Sequence, residues 1–401
     1  VAPYSGLPAN AETLASVGEG EVLRRIFPRL PHADAELLGP GDDAAVVAAP
    51  DGRYVVTTDM MIHGPDFRLA WSTPHDLGWK AAMSNLADVA AMGARPTALV
   101  VAIAAPLETP VEVLLGIADG LRDACALAAP GCGVVGGDLS VSATLTLAVT
   151  AFGDLGGRAP VTRSGARPGD VVAVAGPLGQ AGAGIWLLFR DGVAPAPRSG
   201  SRPGTPSLSR YGALLEAADS ELGAESGTTP PARETVALST AWEPDAAAGR
   251  VVRAAHPDLV EAQLAPRAPI ALGTVAAQAG ATAMLDVSDG LVLDARRLAV
   301  ASGCAVSFDP AAIAREARAL LDTDAVVGDR AAGFVLSGGE DHALLATFPA
   351  DAPLPPGFRA LGTVVEAASA RGGRPDALIG DRPHSALGGW DPYADWDGHV
   401  G

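Results

Sequence analysis

Between Glu19 and Asp154 the sequence alternates apolar, β-branched runs with longer helix-patterned ones, which restricts this part of the chain to an α/β or α+β domain. "RYVVTTDMM" reads as a strand, and "STPHDLGWKAAMSNLADVAAMGA" as a helix that starts at Thr73-Pro74 and stops at Gly93. "TALVVAIA" is a second strand. "TPVEVLLGIADGLRDACALA" reads as a helix with Thr109 as N-cap, Pro110 at its first position and Glu112 completing a capping box. "GCGVVGGDLS" and "ATLTLAVTAFGDL" supply further strands. Residues 1–18 read as a flexible leader, 19–154 as one domain and 155–401 as a second. The interval 191–250 holds "APAPRSGSRPGTPSLSR" and "ELGAESGTTPPARETVALST", and its Pro, Ser, Gly and Thr content predicts a flexible insert. A flexible tail is expected after about residue 393.

Composition narrows the functions open to such a chain. No stretch approaches the ~18 apolar residues that a spanning helix needs, and "TALVVAIAAP" reads as a buried strand. The first residues lack the charged start and apolar core of a secretory signal. Cys125, Cys132 and Cys304 are odd in number and form no CxxC pair, which favours ordinary thiols in a reducing compartment, the cytoplasm. The net charge of −18 disfavours nonspecific binding to nucleic acid or an anionic membrane. Lys80 is the one lysine in the chain, so phosphate charge cannot be offset by a lysine cluster. Metal ions held by carboxylates would have to do it.

Six segments place acids beside glycine or at an element end: "GDDAAV", "TTDMM", "SNLADVAAMG", "GGDLS", "LDVSDGL" and "SGGEDH". Magnesium takes oxygen ligands, usually one or two carboxylates with water and substrate phosphate. In "LDVSDGL", alternation puts Asp286 and Ser288 on one strand face, and Asp289 can begin the following helix. Each acid taken alone is more often a turn former, an N-cap or a solvated charge than a metal ligand, and spacing alone supports no more than a metal-assisted phosphate enzyme as one reading. The chain contains no GxxxxGK[ST] phosphate loop. "GQAGAG" at 179–184 reads as close backbone packing and not as a cofactor loop. Trp71, Trp79 and Trp186 read as packing residues, and Lys80 as either a phosphate contact or a surface ion pair.

Taken in order, "GDDAAV", "TTDM", "GWKAAMSNLADVAAMGARP", "VVGGDLS", "TRSGARPGD", "LDVSDGLVLDARRLA", "SGGEDHALL" and "GGWDPY" resemble the thiamine-monophosphate kinases of the aminoimidazole-ribonucleotide-synthetase-related superfamily. The resemblance implies a two-domain α/β (α+β) fold whose N-terminal domain binds ATP and magnesium and pairs in a homodimer. It implies phosphorylation of thiamine monophosphate by ATP, assisted by several Mg²⁺ ions. Carried over, Asp43, Thr57, Thr58, Asp59, Asp88, Asp138, Asp286 and Asp289 would be metal ligands, direct or through water. Gly137, Asp138, Arg163 and Ser288 would contact the nucleotide, and Asp66, Glu340, Asp341 and Trp390 would form the substrate side. Asp66 stands where family members commonly carry a histidine, with His63 three residues earlier, and Ala118 stands where many carry an aromatic residue. A purine cyclo-ligase of the same superfamily and a non-catalytic thiamine-phosphate or nucleotide binder remain the alternatives.

Overall fold

Thr73 decides where the central helix of the molecule begins. Its side chain accepts from the Asp76 amide while the Asp76 carboxylate accepts from the Thr73 amide, a reciprocal capping box with Pro74 at the first helical position. The computed structural model describes residues 11–39, 44–194, 244–367 and 374–384. In its N-terminal part, α1 (Leu14–Val17) and α2 (Glu19–Ile26) precede two short strands, β1 (Glu36–Leu38) and β2 (Val46–Val47). Then come β3 (Val55–Ile62), the central helix α3 (Pro74–Ala91), β4 (Arg95–Ala105), α4 (Val111–Ala128), β5 (Gly133–Val141) and β6 (Thr146–Asp154). The last four strands form a sheet in the order β3-β6-β4-β5, antiparallel except for the β4–β5 pair.

Helices α3 and α4 pack closely because glycines lie at their crossing. A Cβ on Gly78 would stand 1.9 Å from the Ile117 carbonyl oxygen, and one on Gly120 would stand 2.1 Å from that of His75. On the other side of the sheet Ala33 and Val47 pack with Ala98, Val100 and Phe152, while Val56 and Met60 stay 55% and 59% exposed.

A seven-stranded sheet organises the rest of the described chain, in the order β13-β12-β9-β11-β7-β10-β8. Its strands are β7 (Val171–Ala175), β8 (Ala283–Val287), β9 (Cys304–Phe308), β10 (Ala343–Phe348), β11 (Arg359–Glu366), β12 (Ala377–Ile379) and β13 (Arg382–Pro383). Around it lie α5 (Gln180–Asp191), α6 (Ala246–Ala255), α7 (Pro257–Leu264), α8 (Ala271–Gln278), α9 (Leu291–Ser302), α10 (Pro310–Thr323) and α11 (Ala331–Ser337). Helix α3 joins the two halves. The Arg253 guanidinium on α6 grips the Asp76 carboxylate through two nitrogens, and the Trp79 indole donates to the Pro266 carbonyl at 2.7 Å.

Several sequence-based expectations meet a different structure. Leu14 is buried and its amide donates to the Thr109 carbonyl, so residues 11–18 are packed onto the domain and are no loose leader where described. Helix α4 begins at Val111 with Pro110 as N-cap and no side-chain cap bond there, one residue later than the start expected at Thr109-Pro110. The interval 191–250 lies mostly outside the described residues, but its last five residues are the first turns of α6, capped by Asp245. Lys80 is not a surface residue: it is 5% exposed. The packing readings fare differently. Trp71, Trp79 and Trp186 are buried, and a Cβ on Gly184 of "GQAGAG" would stand 2.1 Å from the Leu259 carbonyl oxygen. The three cysteines are free thiols.

Candidate functional site

Lys80, Ser84 and Asp88 recur every fourth residue along α3 and so share one helix face. That face, the end of β3 and the loops after β8 and α11 enclose a cavity of about 320 Å³. Strand β3 sends Asp59 into it, and Asn85 fixes that strand by accepting the Asp59 amide proton at 3.1 Å. Thr57, two residues earlier and therefore on the same strand face, donates to Asp88 at 2.8 Å. Asp66 lines the same cavity and accepts the Ile62 amide proton at 2.7 Å.

The opposite wall comes from the C-terminal half. Asp286 near the end of β8, then Ser288 and Asp289, line the cavity. Asp289 does not start the next helix. Gly290 at φ +121° is the N-cap of α9, and Asp294 reaches back to accept the Asp289 and Gly290 amide protons at 3.0 and 3.1 Å. Beside this turn runs Glu340-Asp341-His342, in which Glu340 and His342 hold φ values of +66° and +51°. No other non-glycine residue among those described has positive φ. Such backbone costs about 1–3 kcal/mol per residue, and two bonds to the β8 side hold it: Glu340 amide to Ser288 carbonyl, 2.7 Å, and His342 amide to Val287 carbonyl, 3.0 Å.

The three side chains of this tripeptide tie three elements together. Glu340 pairs with Lys80 at 2.9 Å, and His342 stands 3.1 Å from both Ser84 Oγ and Asp286 Oδ2. Asp341 turns the other way. It is 2% exposed, outside the cavity, and accepts the Gly179 and Ala181 amide protons at the start of α5 at 2.5 and 2.8 Å. A buried carboxylate at a helix N-terminus satisfies orphan backbone donors, and this explains an acid expected on the substrate side.

Electrostatics divide the cavity into two ends. At one end burial, then the Asp286 and Asp59 carboxylates, push Asp88 well above its ordinary pKa. The protein wall around Asp59 raises it too, with Asp286 and Asp289 adding to the effect. Burial opposes the charging of His342, yet Asp286 and Glu340 raise its pKa above the usual imidazole range. At the other end stand Asp66, Glu340 and Lys80. Burial raises Asp66, helped by Glu340 and resisted by the Ile62 amide and Lys80. Against the penalty of burial, Lys80 and Gln263 hold the Glu340 carboxyl below its ordinary range.

Asp59, Asp66, Asp88, Asp286, Ser288, Asp289 and Glu340 thus meet at one place, with Thr57 behind Asp88. Thr58 turns its hydroxyl to the Val149 carbonyl, beside Thr150. Gly137 and Asp138 lie on β5 outside the cavity, where Ser140 donates to Asp138 at 2.8 Å. Arg163 stands at a separate shallow depression over α9 with Arg296 and Arg297. Asp43 and Trp390 fall outside the described residues. His342, which the sequence reading did not single out, is central to the cavity. Its signal was present as the residue following two acids in "SGGEDH", but its contacts to Ser84 and Asp286 are tertiary. No three His, Cys, Asp or Glu side chains among the described residues close around one point. Asp59, Asp88, Asp286 and Asp289 are the carboxylates that could each contribute to a metal site completed by water and phosphate.

A four-stranded sheet backed by two helices, joined by one of them to a larger α/β half with an acidic cavity at the seam, defines an AIR-synthase-related protein. The family described as AIR synthase related protein, N-terminal domain, matches residues 41–155. The thiamine-monophosphate kinase of Mycobacterium tuberculosis (strain CDC 1551 / Oshkosh) is 37% identical over 391 residues, 98% of this chain and 96% of that protein. The crystal structure of thiamine-monophosphate kinase from Stenotrophomonas maltophilia K279a superposes with a TM-score of 0.60 at 26% identity, covering 91% of this chain and 96% of that one. AaThiL complexed with AMPPCP and TMP also gives a TM-score of 0.60, at 25% identity, covering 87% and 90%. The chain belongs to the thiamine-monophosphate kinase family, and it is a kinase. Among the described residues no helix is long and apolar enough to cross a membrane.

Proposed function

We propose that the chain transfers the γ-phosphoryl group of ATP to thiamine monophosphate, giving thiamine diphosphate and ADP. The observation that carries this reading is the crowding of Asp59, Asp88, Asp286 and Asp289 in one cavity, where burial, then the Asp286 and Asp59 carboxylates, raise the Asp88 pKa, and bound cations would offset the negative charge that remains beside the Asp289–Arg297 pair. The relative complexed with AMPPCP and TMP, similar over most of both chains, supplies the nucleotide and acceptor classes.

These carboxylates fit Mg²⁺, which is hard, oxygen-seeking and content with one or two carboxylates plus water and phosphate. Asp59, Asp88, Asp286 and Asp289 would hold it directly or through water, with Thr57 orienting Asp88. Asp43, Thr58 and Asp138 are proposed as further ligands and Gly137, Arg163 and Ser288 as nucleotide contacts, and of these Ser288 lines the cavity as described. Bound Mg²⁺ would offset the phosphate charges that otherwise drive donor and acceptor apart.

The protein's own part is placement. A phosphate oxygen of thiamine monophosphate attacks the γ-phosphorus in line, and the bond to the β-phosphate bridging oxygen breaks with its electron pair leaving on ADP. No side-chain nucleophile is needed. Asp66 and Glu340 would face the cationic acceptor, with Trp390 as a flat surface for its ring. The open face of the four-stranded sheet is the surface on which we place the homodimer contact.

The direct test is purified protein with ATP, Mg²⁺ and thiamine monophosphate, followed for thiamine diphosphate. Formation of product with Mg²⁺ and its absence with a chelator are expected. Mg²⁺-dependent binding of both ligands without product would refute the reading.

A further inference from the structure

Lys80 is placed where a structural ion pair has little need of it. Elsewhere the chain anchors carboxylates with arginine forks: Arg253 on Asp76 and Arg359 on Glu316 each use two nitrogens. A guanidinium gives such a fork fixed geometry, whereas an ammonium on a four-carbon stem is a compact charge free to change partners. The chain's one lysine lies instead in the acidic cavity, where it is the only Lys or Arg among the lining residues. It sits at the end that holds Asp66 and Glu340, one side of the crowded carboxylates.

Its partner is arranged to be released. Gln263 on α7, 4% exposed, donates its amide to Oε2 of Glu340, the oxygen that Lys80 also contacts. The Gln263 carbonyl oxygen is buried with no hydrogen-bond partner. A side-chain amide that strands its acceptor to keep its donor on a carboxylate is committed to that carboxylate. Glu340 therefore keeps a hydrogen bond when the ammonium turns elsewhere.

We propose that Lys80 is the side chain that receives the phosphate of the acceptor substrate, moving its charge from Glu340 onto that phosphate while Gln263 keeps Glu340 partnered. The inference rests on the function proposed above and adds the residue that distinguishes a phosphorylated acceptor from its unphosphorylated counterpart. Charge-assisted contact from a desolvated ammonium suits a monophosphate, and the neighbouring acids suit the cationic remainder.

Two measurements test it. In steady-state kinetics Lys80→Met should raise KM for thiamine monophosphate by about 10–100-fold, the scale of one hydrogen bond to a charged group, and leave KM for ATP within about twofold. Lys80→Arg should recover part of that loss. Unchanged KM for thiamine monophosphate in a folded Lys80→Met protein, or equal rises in both constants, overturns the inference. The second measurement needs no variant. Lys80 is the only side-chain amine, so acetylation by an amine-directed ester can be read at that one residue by mass spectrometry. Thiamine monophosphate should slow Lys80 acetylation, and thiamine should not. Equal labelling with and without thiamine monophosphate, or no labelling of the free protein, overturns the inference, which requires an ammonium open to the cavity. Absence of kinase turnover in the wild-type protein would instead refute the proposed reaction, and protection of Lys80 by inorganic phosphate would still report a phosphate there.

Discussion

Asp88 carries the heaviest like-charge burden in the cavity, since it is buried beside both Asp286 and Asp59. Asp88→Asn removes one of three repelling carboxylates but keeps an oxygen for the Thr57 hydroxyl. Turnover should fall by at least ~100-fold, the scale seen when transition-state charge loses a stabilising group. The metal-free protein should melt a few degrees higher than wild type, and added Mg²⁺ should raise its melting temperature less. Scanning calorimetry with and without Mg²⁺ checks both. Asp341 gives a different result. Burial pushes its carboxyl up to about 7, against the pull of the Ala181 and Gly179 amides. The folded protein then holds a proton that the unfolded chain releases from about pH 4 upward, so stability from this site is lost as pH rises towards 7. Against an Asp341→Asn reference, whose neutral amide does not titrate, the urea midpoint of wild type should fall between about pH 4 and about pH 7. Intrinsic tryptophan fluorescence, to which Trp186 on α5 contributes, follows that unfolding transition. A constant difference would mean that the helix amides keep Asp341 ionised throughout.

Between elements, glycines set what the helices can do. Gly78→Ala puts a methyl group 1.9 Å from the Ile117 carbonyl, inside any possible contact, so α3 and α4 must separate. The expected cost is about 1–3 kcal/mol, read as a lower denaturation midpoint. Gly20 on α2 has nothing within 4 Å of its missing Cβ, and Gly20→Ala should stabilise by up to ~1 kcal/mol through helix propensity alone. At this scale much was legible from sequence, because its signals are local. Thr73-Pro74 starts α3, Gly93 at φ +72° follows its end, and the strand runs around Asp59, Val101 and Val149 pair as one sheet. The errors are also local in form but tertiary in cause. Thr109 offered good N-cap chemistry, yet its carbonyl receives the Leu14 amide and the helix starts after Pro110. Asp289 offered the same, yet Asp294 supplies the cap from within the helix. The acids of "TTDMM", "SNLADVAAMG" and "LDVSDGL" could be picked out by their glycine and element-end context. Lys80, Asp341 and His342 could not be sorted that way, because their roles depend on which of three elements each side chain reaches.

For the molecule as a whole, the unequal faces of the four-stranded sheet bear on assembly. Helices α3 and α4 cover one face and bury Leu77, Leu86, Leu114 and Ile117. On the other face Val56 and Met60 are exposed, at 55% and 59%. Exposed apolar side chains on one sheet face favour burial against another surface, and a second copy of the same face would provide it. The proposed dimer therefore predicts that Val56→Asp, which puts one charge on each side of a two-fold contact, converts the assembly to monomers. Light scattering after size-exclusion chromatography should show the mass halved, with far-ultraviolet circular dichroism unchanged because Val56 makes no part of the α3–α4 core. Asp138 lies on the same open face as that valine's sheet, away from the carboxylate cavity. If the face also borders the nucleotide, the monomeric variant should lose ATP affinity while its Mg²⁺-free stability stays near that of wild type. A dimer that survives Val56→Asp would place the contact elsewhere on the molecule and remove the reason for setting Asp138 beside the nucleotide.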